Sequence, residues 1–150
     1  MKIVIDTNVL IDAYKDLSSY ERRIINEVIA GNVEAYANRE TLQENKFIAG
    51  KLIDDASFQR YLETFYAQVN WVKSIPSLRV VSDEEDNKIL ASAIEAGADY
   101  LITSDKVLLE IRKYKRVKII DPTAFWVNYK DTGMDFWRSL TSFVRGQSRP

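Results

Sequence analysis

The sequence predicts an α/β fold in three layers (α/β/α), with a central parallel sheet between two layers of helices. Short β-branched runs alternate with longer segments whose apolar residues recur at helical spacing. Strands that alternate with helices form βαβ units, and the strands of such units are parallel. The chain has 150 residues and contains no internal repeat or linker-like tract. We therefore expect one domain over residues 1–150.

Five short segments are predicted to be strands. Their branched and aromatic apolar side chains favour extended backbone and suit buried positions in a sheet. The prediction is weakest for the third segment in chain order, Leu78–Val81. The five are Ile3–Ile5, Val33–Ala37, Leu78–Val81, Tyr100–Thr103 and Val117–Ile120.

Helices are predicted between these strands. A helical turn begins at Val9, directly after the first strand. Ser18 and Glu21 have the spacing of a capping box and open a helix that Gly31 ends. Strong helix formers predict the next helix over Arg39–Ile53.

Three more helices are predicted in the middle of the chain, from their capping residues and apolar spacing. Asp54 or Asp55 can cap the first, whose apolar stripe is Phe58, Tyr61, Leu62, Phe65, Val69 and Val72. The acidic run Asp83–Asp86 opens the second, in keeping with the helix dipole, and Gly97 ends it. The third is short, over Lys106–Tyr114.

The end of the chain predicts a helix over Thr123–Tyr129, a break at Asp131–Gly133 and a last amphipathic segment. We describe residues 131–150 as a C-terminal aromatic extension of the domain. The aromatic side chains of this extension, together with Trp126 shortly before it, either pack on the protein's own core or form a protein interface, since exposed aromatic patches mark such interfaces. The residues concerned are Trp126, Phe136, Trp137 and Phe143.

The composition excludes several chemistries. There is no histidine and no cysteine, so imidazole or thiolate zinc sites, iron–sulfur clusters and Ser-His-Asp triads cannot be built. Carboxylates with a hard, oxygen-seeking cation such as Mg²⁺ or Mn²⁺ remain available. The lack of cysteine, and of an apolar run near the roughly 20 residues that span a bilayer, predicts a cytoplasmic protein with no membrane partner.

Acidic residues follow several predicted strands. In open α/β sheets, ligands bind beyond the carboxyl ends of the strands. Each single acid could simply cap a helix, but several carboxylates meeting at one edge would repel each other and favour a bound cation. The acids are Asp6, Asp83, Asp86, Asp105 and Asp121.

Two further features lie away from the strand ends. Glu44 shares a helix face with Phe47 and Ile48, so it points either towards the sheet or into solvent.

The formal net charge of −1 does not by itself indicate a nucleic-acid binder. However, the segment Lys106–Lys118 has six basic residues and one acidic residue, and is either a solvated helix end and loop or a patch that faces phosphates.

Four segments, in this order and spacing, resemble PIN-domain ribonucleases, most closely the small prokaryotic VapC-like toxins. The opening Asp-Thr-Asn is modestly specific, whereas the order of all four is strongly specific. The resemblance covers roughly residues 1–128. Its segments are Ile3–Leu10, Glu40–Glu44, Asp83–Leu90 and Ala96–Asp105, the last followed by Val107–Leu109.

The resemblance implies a site for Mg²⁺ or Mn²⁺ made of four acids, which are Asp6, Glu44, Asp86 and Asp105. It implies Asn8 and Thr103 as the polar neighbours that steady them. The implied activity is cleavage of single-stranded RNA, by the toxin of a toxin–antitoxin pair. An antitoxin protein and a second copy of the chain are then the expected protein partners, and RNA phosphates would be held by Lys106, Arg112 and Lys113.

The sequence also departs from the family pattern. Glu84 stands where the family often has proline, and Ser104 where it often has glycine. Glu40 is a rival for Glu44 if the helix register differs. The main alternative function is a catalytically weak module that binds nucleic acid or protein. Haloacid-dehalogenase-type phosphotransfer would need a second aspartate where Asn8 stands, and a receiver domain would need an acidic pair at the first strand.

Overall fold

The computed structural model describes residues 1–73 and 75–146, and in the last helix it describes the side chains up to Met134 and that of Thr141. These residues form six strands and seven helices. The strands are β1 Lys2–Ile5, β2 Glu34–Asn38, β3 Asn70–Val72, β4 Tyr100–Ile102, β5 Lys113–Tyr114 and β6 Val117–Ile120. The helices are α1 Thr7–Lys15, α2 Tyr20–Ile29, α3 Arg39–Leu52, α4 Ala56–Tyr66, α5 Glu84–Glu95, α6 Lys106–Ile111 and α7 Pro122–Gly146.

The strands form one sheet in the order β3-β2-β1-β4-β6-β5. All neighbouring pairs are parallel except β5 and β6, which are antiparallel. The predicted fold of three layers around a mostly parallel sheet is confirmed. The two-residue strand β5 was not expected, and it gives the sheet an antiparallel edge.

Alternating side chains of β1 separate the two cores. Ile3 and Ile5 lie in a core with α1, α2, α4 and α7, whereas Val4 lies in a second core with α5 and α6. The largest helix residues in the first core include Leu10, Ile25, Leu62 and Phe125, and those in the second include Leu90 and Leu108. A strand with both faces buried is typical of parallel sheets, which is why β1 is an unbroken apolar run.

The strand order places a topological switch point at the centre of the sheet. The chain leaves β1 towards β2 and β3 on one side, and later returns to β4 on the other side of β1. The connections that follow β1 and β4 run in opposite directions, towards β2 and towards β6, and open a crevice beyond the carboxyl ends of these two central strands. The first residues beyond these ends, Asp6 and Thr103, therefore lie at the position where such sheets bind ligands.

Two predicted element boundaries near α2 and α4 were wrong. The N-cap of α2 is Ser19, whose Oγ accepts from the backbone N–H of Arg22 at 3.2 Å, and not Ser18. Helix α4 ends at Tyr66, so Val69 and Val72 lie outside the helix, although their positions in the sequence continue its apolar spacing. Val72 belongs to β3, a strand that the sequence pattern concealed.

The predicted strand Leu78–Val81 is not a strand. Its backbone bonds to a side chain instead of a neighbouring strand: Asn87 Oδ1 accepts from the N–H groups of Val80 and Val81 at 2.9 and 3.1 Å. Asn87 Nδ2 donates to the carbonyl oxygen of Val81 at 2.8 Å. The loop is thereby attached to the start of α5, the helix that carries Asp86.

Helix α6 is shorter than predicted. It ends at Ile111 because Arg112 has a φ of 61°, which breaks the helix, and the chain then turns into β5. The carbonyl oxygen of Arg112 accepts from the N–H of Ile119 at 2.8 Å, which attaches the turn to β6.

The predicted break at Asp131–Gly133 was also wrong, since α7 is continuous from Pro122 to Gly146. One glycine within a helix costs only about 1 kcal/mol relative to alanine, and the chain has no proline there. Trp126 is partly buried against the first core, while the side chains of Phe136, Trp137 and Phe143 lie outside the described residues. No helix among the residues described is long and apolar enough to cross a membrane.

Candidate active site

Asp6 occupies the switch point at the end of β1. Its backbone N–H donates to the carbonyl oxygen of Ile102 on β4 at 2.9 Å. Its side chain is only 5% exposed, and Oδ2 accepts a hydrogen bond from Oγ1 of the fully buried Thr103 at 2.7 Å. Burial raises the pKa of Asp6, the hydrogen bond from Thr103 opposes this, and the charge of Asp105 adds to the increase.

Thr103 connects Asp6 to the second acid of the site. While its hydroxyl donates to Asp6, the same oxygen accepts from the backbone N–H of Asp105 at 3.0 Å. The Asp105 side chain caps α6, with Oδ1 accepting from the N–H groups of Val107 and Leu108 at 2.8 and 3.2 Å. One buried hydroxyl thus sets the position of both acids.

Asp86 lies in the first turn of α5 and approaches the same crevice. Its side chain is partly buried, and its backbone N–H donates to the capping side chain of Asp83 at 3.3 Å. Burial, followed by the charges of Asp83, Asp105 and Asp6, raises the pKa of Asp86 to about 6. Asp6, Asp86 and Asp105 form a group that we call the acidic triad, brought together from β1, α5 and α6.

Glu44 lies apart from the acidic triad. It is exposed on α3, and its carboxyl group faces Glu85 on α5: a hydrogen bond shared with Glu85, and the charge of Glu85, raise the pKa of Glu44. Its rival Glu40 is also exposed, with Oε2 at 3.7 Å from Nζ of Lys88. Neither glutamate therefore joins the triad in this side-chain arrangement.

The buried face of α3 is the one that leaves Glu44 in solvent, which was one of the two alternatives. Leu42, Asn45 and Ala49 are buried, whereas Phe47, which shares the face of Glu44, is 60% exposed. Asn45 Oδ1 accepts a hydrogen bond from Thr7 Oγ1, so the residue after Glu44 attaches α3 to the turn that follows Asp6.

A second buried polar contact attaches α3 to α5. Asn38 Nδ2 donates to Oγ1 of Thr41 and to Oγ of Ser92, both at 2.8 Å. Sequence reasoning missed these residues, although a polar side chain at a position that helical spacing places in the core was a usable signal.

The donor set suits a hard cation. The triad offers carboxylate oxygens in a partly buried crevice, where their charges oppose one another and a divalent ion would remove the repulsion. In the side-chain arrangement of the described residues, no group of three or more acids is yet arranged as the ligands of a metal ion. Asn8 is exposed in the first turn of α1, beside Asp6 in the chain.

The three basic residues predicted to hold phosphates do not lie together. Lys106 is exposed and follows Asp105 at the carboxyl edge of the sheet. Arg112 and Lys113 come after the far end of α6. There, Lys113 of β5 lies opposite Lys118 of β6 in the antiparallel strand pair. Only Lys106 is adjacent to the acidic triad.

A family model described as PIN domain matches residues 2–107 of the chain. This is well over half of its length and includes the whole acidic triad. The chain belongs to the PIN-domain family. The match confirms the family resemblance seen in the sequence motifs.

A solved structure with the same fold is the crystal structure of VapBC2 from Rickettsia felis bound to a DNA fragment from their promoter. The alignment covers 81% of this PIN domain and 98% of that chain, with 16% identity and a TM-score of 0.56. A search of curated proteins found none that matches the chain.

The Thr103 hydroxyl offers a direct test of how the PIN-domain crevice is held. Thr103→Val keeps the shape of this buried side chain but removes its bonds to Asp6 and to the Asp105 N–H. Leaving buried polar groups without partners should lower the free energy of unfolding by about 1–3 kcal/mol. Urea denaturation measures this, and Thr103→Ser should restore most of the loss. Equal stability of the valine variant and the wild type would contradict the bridging role.

The raised pKa of Asp86 predicts an unusual pH dependence for the metal-free PIN domain. Below pH 6 the folded state takes up a proton at Asp86, whereas the unfolded chain stays ionised down to about pH 4. Since the folded state then binds more protons, stability in EDTA should rise as the pH falls from 7 to 5.

Asp86→Asn should therefore raise the melting temperature in EDTA at pH 7 and flatten its pH profile. Glu84→Gln, at an exposed acid in the same helical turn, is the matched control. Thermal melts between pH 5 and pH 8 make the comparison. A lower melting temperature for Asp86→Asn than for wild type, at pH 7 without metal, would show that repulsion at Asp86 does not weaken the fold.

Proposed function

We propose that this PIN domain is an endoribonuclease that hydrolyses single-stranded RNA with the help of Mg²⁺ or Mn²⁺. The observation that carries the proposal is the convergence of three carboxylates at the switch point, with the pKa of Asp86 raised partly by the charges of Asp6 and Asp105. Acids held together against their repulsion, without histidine or cysteine in the chain, suit a hard cation and phosphoryl chemistry.

The proposed ligands are the acidic triad and Glu44. When bound, Mg²⁺ or Mn²⁺ supplies activation of water and stabilisation of the charge that develops on the phosphate. Asp6 is the most firmly positioned ligand, because β1, β4 and the Thr103 hydroxyl all hold it. Glu44 is exposed and would have to turn towards the cation, and the charge of Glu85 beside it disfavours an ionised Glu44 in its present position.

Other residues would position the RNA and the acids. Lys106 is suited to hold a backbone phosphate beside Asp105, and the affinity for RNA should then fall as salt rises. Arg112 and Lys113 would contact a longer RNA farther from the crevice. Asn8 and Thr103 are proposed as positioning residues, Thr103 through its hydrogen bond to Asp6.

The test is cleavage of an unstructured RNA by the purified full chain. We expect cleavage with Mn²⁺ or Mg²⁺ and none in EDTA, with activity returning when metal is added back. An RNA that is cut equally in EDTA would contradict the metal dependence. An RNA that stays intact with every divalent cation would contradict the enzymatic function.

We also propose that the activity is that of a cytoplasmic toxin restrained by an antitoxin protein. The support is the shared fold with VapBC2, a pair whose structure was solved on promoter DNA. Induced expression of wild type should arrest bacterial growth, while Asp6→Asn should not. Light scattering of the purified chain would show whether it forms the expected homodimer.

A catalytically weak binding module is the second candidate. It is favoured by the exposed position of Glu44, away from the acidic triad. It predicts RNA or protein binding that is unchanged by EDTA and by Asp6→Asn, and no cleavage. Measuring binding and cleavage on the same preparation separates the two candidates.

A further inference from the structure

A cavity of about 640 Å³ lies beside the crevice, at the carboxyl ends of β2 and β3. Its walls come from the end of β2, the start of α3 and the end of β3 with the residues after it. The lining residues used below are Asn38, Arg39, Glu40, Trp71, Val72 and Lys73. A cavity of this size is in the range that holds small organic ligands.

Trp71 gives the cavity an aromatic surface. The indole is 48% exposed on β3, which is an edge strand bonded only to β2 within the described sheet. The guanidinium of Arg39 stands 5.9 Å from the ring centroid. A half-exposed indole with a cation near its ring is the arrangement on which unpaired nucleic-acid bases stack.

The charges around the cavity suit a nucleic-acid backbone. Neither Arg39 nor Lys73 forms an ion pair within the described part of the chain, so both cations are available to a phosphate. The acid in the lining, Glu40, is 3.7 Å from Lys88 on α5, which offsets its charge. The balance at the cavity is therefore basic, in contrast to the acidic crevice beside it.

The strand register fixes where the cavity lies relative to the acidic triad. Ile3 pairs with Ala35 and Asn38 pairs with Val72. Continuing the parallel register by three residues puts Asp6, Asn38 and Val72 in one row across β1, β2 and β3. Side chains alternate along a strand, so Trp71, one residue before Val72, lies on the opposite face of the sheet from Asp6, and the cavity spans the end of the sheet between the two faces. Two strand spacings separate Asp6 from Val72, roughly 10 Å. A single-stranded RNA bound across the acids would reach the cavity within a few nucleotides, a length that one single-strand binding domain covers.

We propose that this cavity is a subsite for single-stranded RNA, in which a base stacks on Trp71 while Arg39 and Lys73 hold the adjoining phosphates. The inference rests on the proposed function and adds to it a base-binding site outside the acids. It also gives a reason for a single-strand preference, because a paired base cannot reach the indole. Stacking needs no particular base, so this subsite contributes affinity and register more than sequence choice.

The experiment measures binding of an unstructured, fluorescein-labelled oligoribonucleotide by polarisation in EDTA, where cleavage is not required. Trp71→Ala should weaken binding roughly 5- to 100-fold, and Trp71→Phe should restore most of it. Lys73→Ala should lower the steepness of the salt dependence. The control is Phe47→Ala, which removes an exposed aromatic ring that also lies under a cation, Lys51, but lies outside the cavity lining.

Thermal melts establish that Trp71→Ala and Lys73→Ala are folded. With metal present, Trp71→Ala should raise KM and leave kcat close to that of wild type. If Trp71→Ala binds RNA as tightly as Phe47→Ala, the subsite is wrong, even if wild type cleaves RNA as proposed. If binding depends on Trp71 but no metal supports cleavage, the subsite stands and the proposed function fails. A wild type that binds no single-stranded RNA overturns both.

Discussion

Asp6→Asn is expected to lower the metal-dependent cleavage of single-stranded RNA by about 10²- to 10³-fold, because metal electrostatics contribute several kcal/mol to such reactions. Asparagine keeps the size of the side chain and can still accept the hydrogen bond from Thr103. The substitution removes only the charge. Since burial already raises the pKa of Asp6, a neutral side chain should not weaken the metal-free fold.

The measurement is the initial rate of RNA cleavage at saturating Mn²⁺, with a thermal melt of each variant. Glu84→Gln is the matched control, since Glu84 is an exposed acid at the start of α5 and is not in the triad. Its activity should remain close to that of wild type. If Asp6→Asn and wild type cut at the same rate, the proposed metal site is wrong. An equal loss in both variants would instead indicate a general effect of negative charge.

The part of the site at strand ends could be predicted because it depends on local pattern. An apolar β-branched run predicted β1, and the acid that follows such a run must lie at the carboxyl edge of the sheet. The same reasoning placed Asp105 after β4. The first turn of α5 brought Asp86 to that edge, as expected from the acidic run that opens this helix.

The position of Glu44 depends on helix rotation, which the sequence pattern did not determine. Polar Asn45 proved to be on the buried face of α3, bonded to Thr7, and Phe47 on the exposed face. A pattern that assigns apolar residues to the interior fails when a buried hydrogen bond selects the face. This is why the sequence left the direction of Glu44 open, and the structure places it in solvent beside Glu85.

The Trp71 cavity could not be predicted from the sequence, because the strand that carries Trp71 looked like a continuation of α4. Val69 and Val72 continue the apolar spacing of α4, so a short strand within that spacing could not be distinguished from more helix. Once β3 is recognised, Trp71 follows as an exposed aromatic side chain at the edge of the sheet. Short apolar runs are ambiguous between helix and strand, and here the ambiguity concealed a candidate binding surface.

Helix α7 raises the question of where this PIN domain ends. The family model matches only residues 2–107, so most of α6, β5, β6 and α7 lie beyond it. Yet Phe125 on α7 is 1% exposed in the first core, where its ring meets that of Tyr100 on β4 edge-on at 5.4 Å. Tyr129 Oη donates to Oε2 of Glu27 on α2 at 2.7 Å, so α7 is attached to two other elements.

Phe125→Ala should therefore lower the free energy of unfolding by about 3–5 kcal/mol, as expected for a large side chain removed from a packed core. For a chain of this length the melting temperature should fall by roughly 10 °C. Val127→Ala, at a residue 49% exposed on the same helix, should change stability by less than about 0.5 kcal/mol.

Urea and thermal unfolding of the two variants measure the difference. If both unfold like wild type, α7 is an appendage and the domain ends near β6. If Phe125→Ala alone is destabilised and unfolds in one transition, α7 belongs to the same cooperative unit as β4. Because β4 leads directly into Thr103, the helix beyond the family match would then help to hold the crevice that contains Asp6.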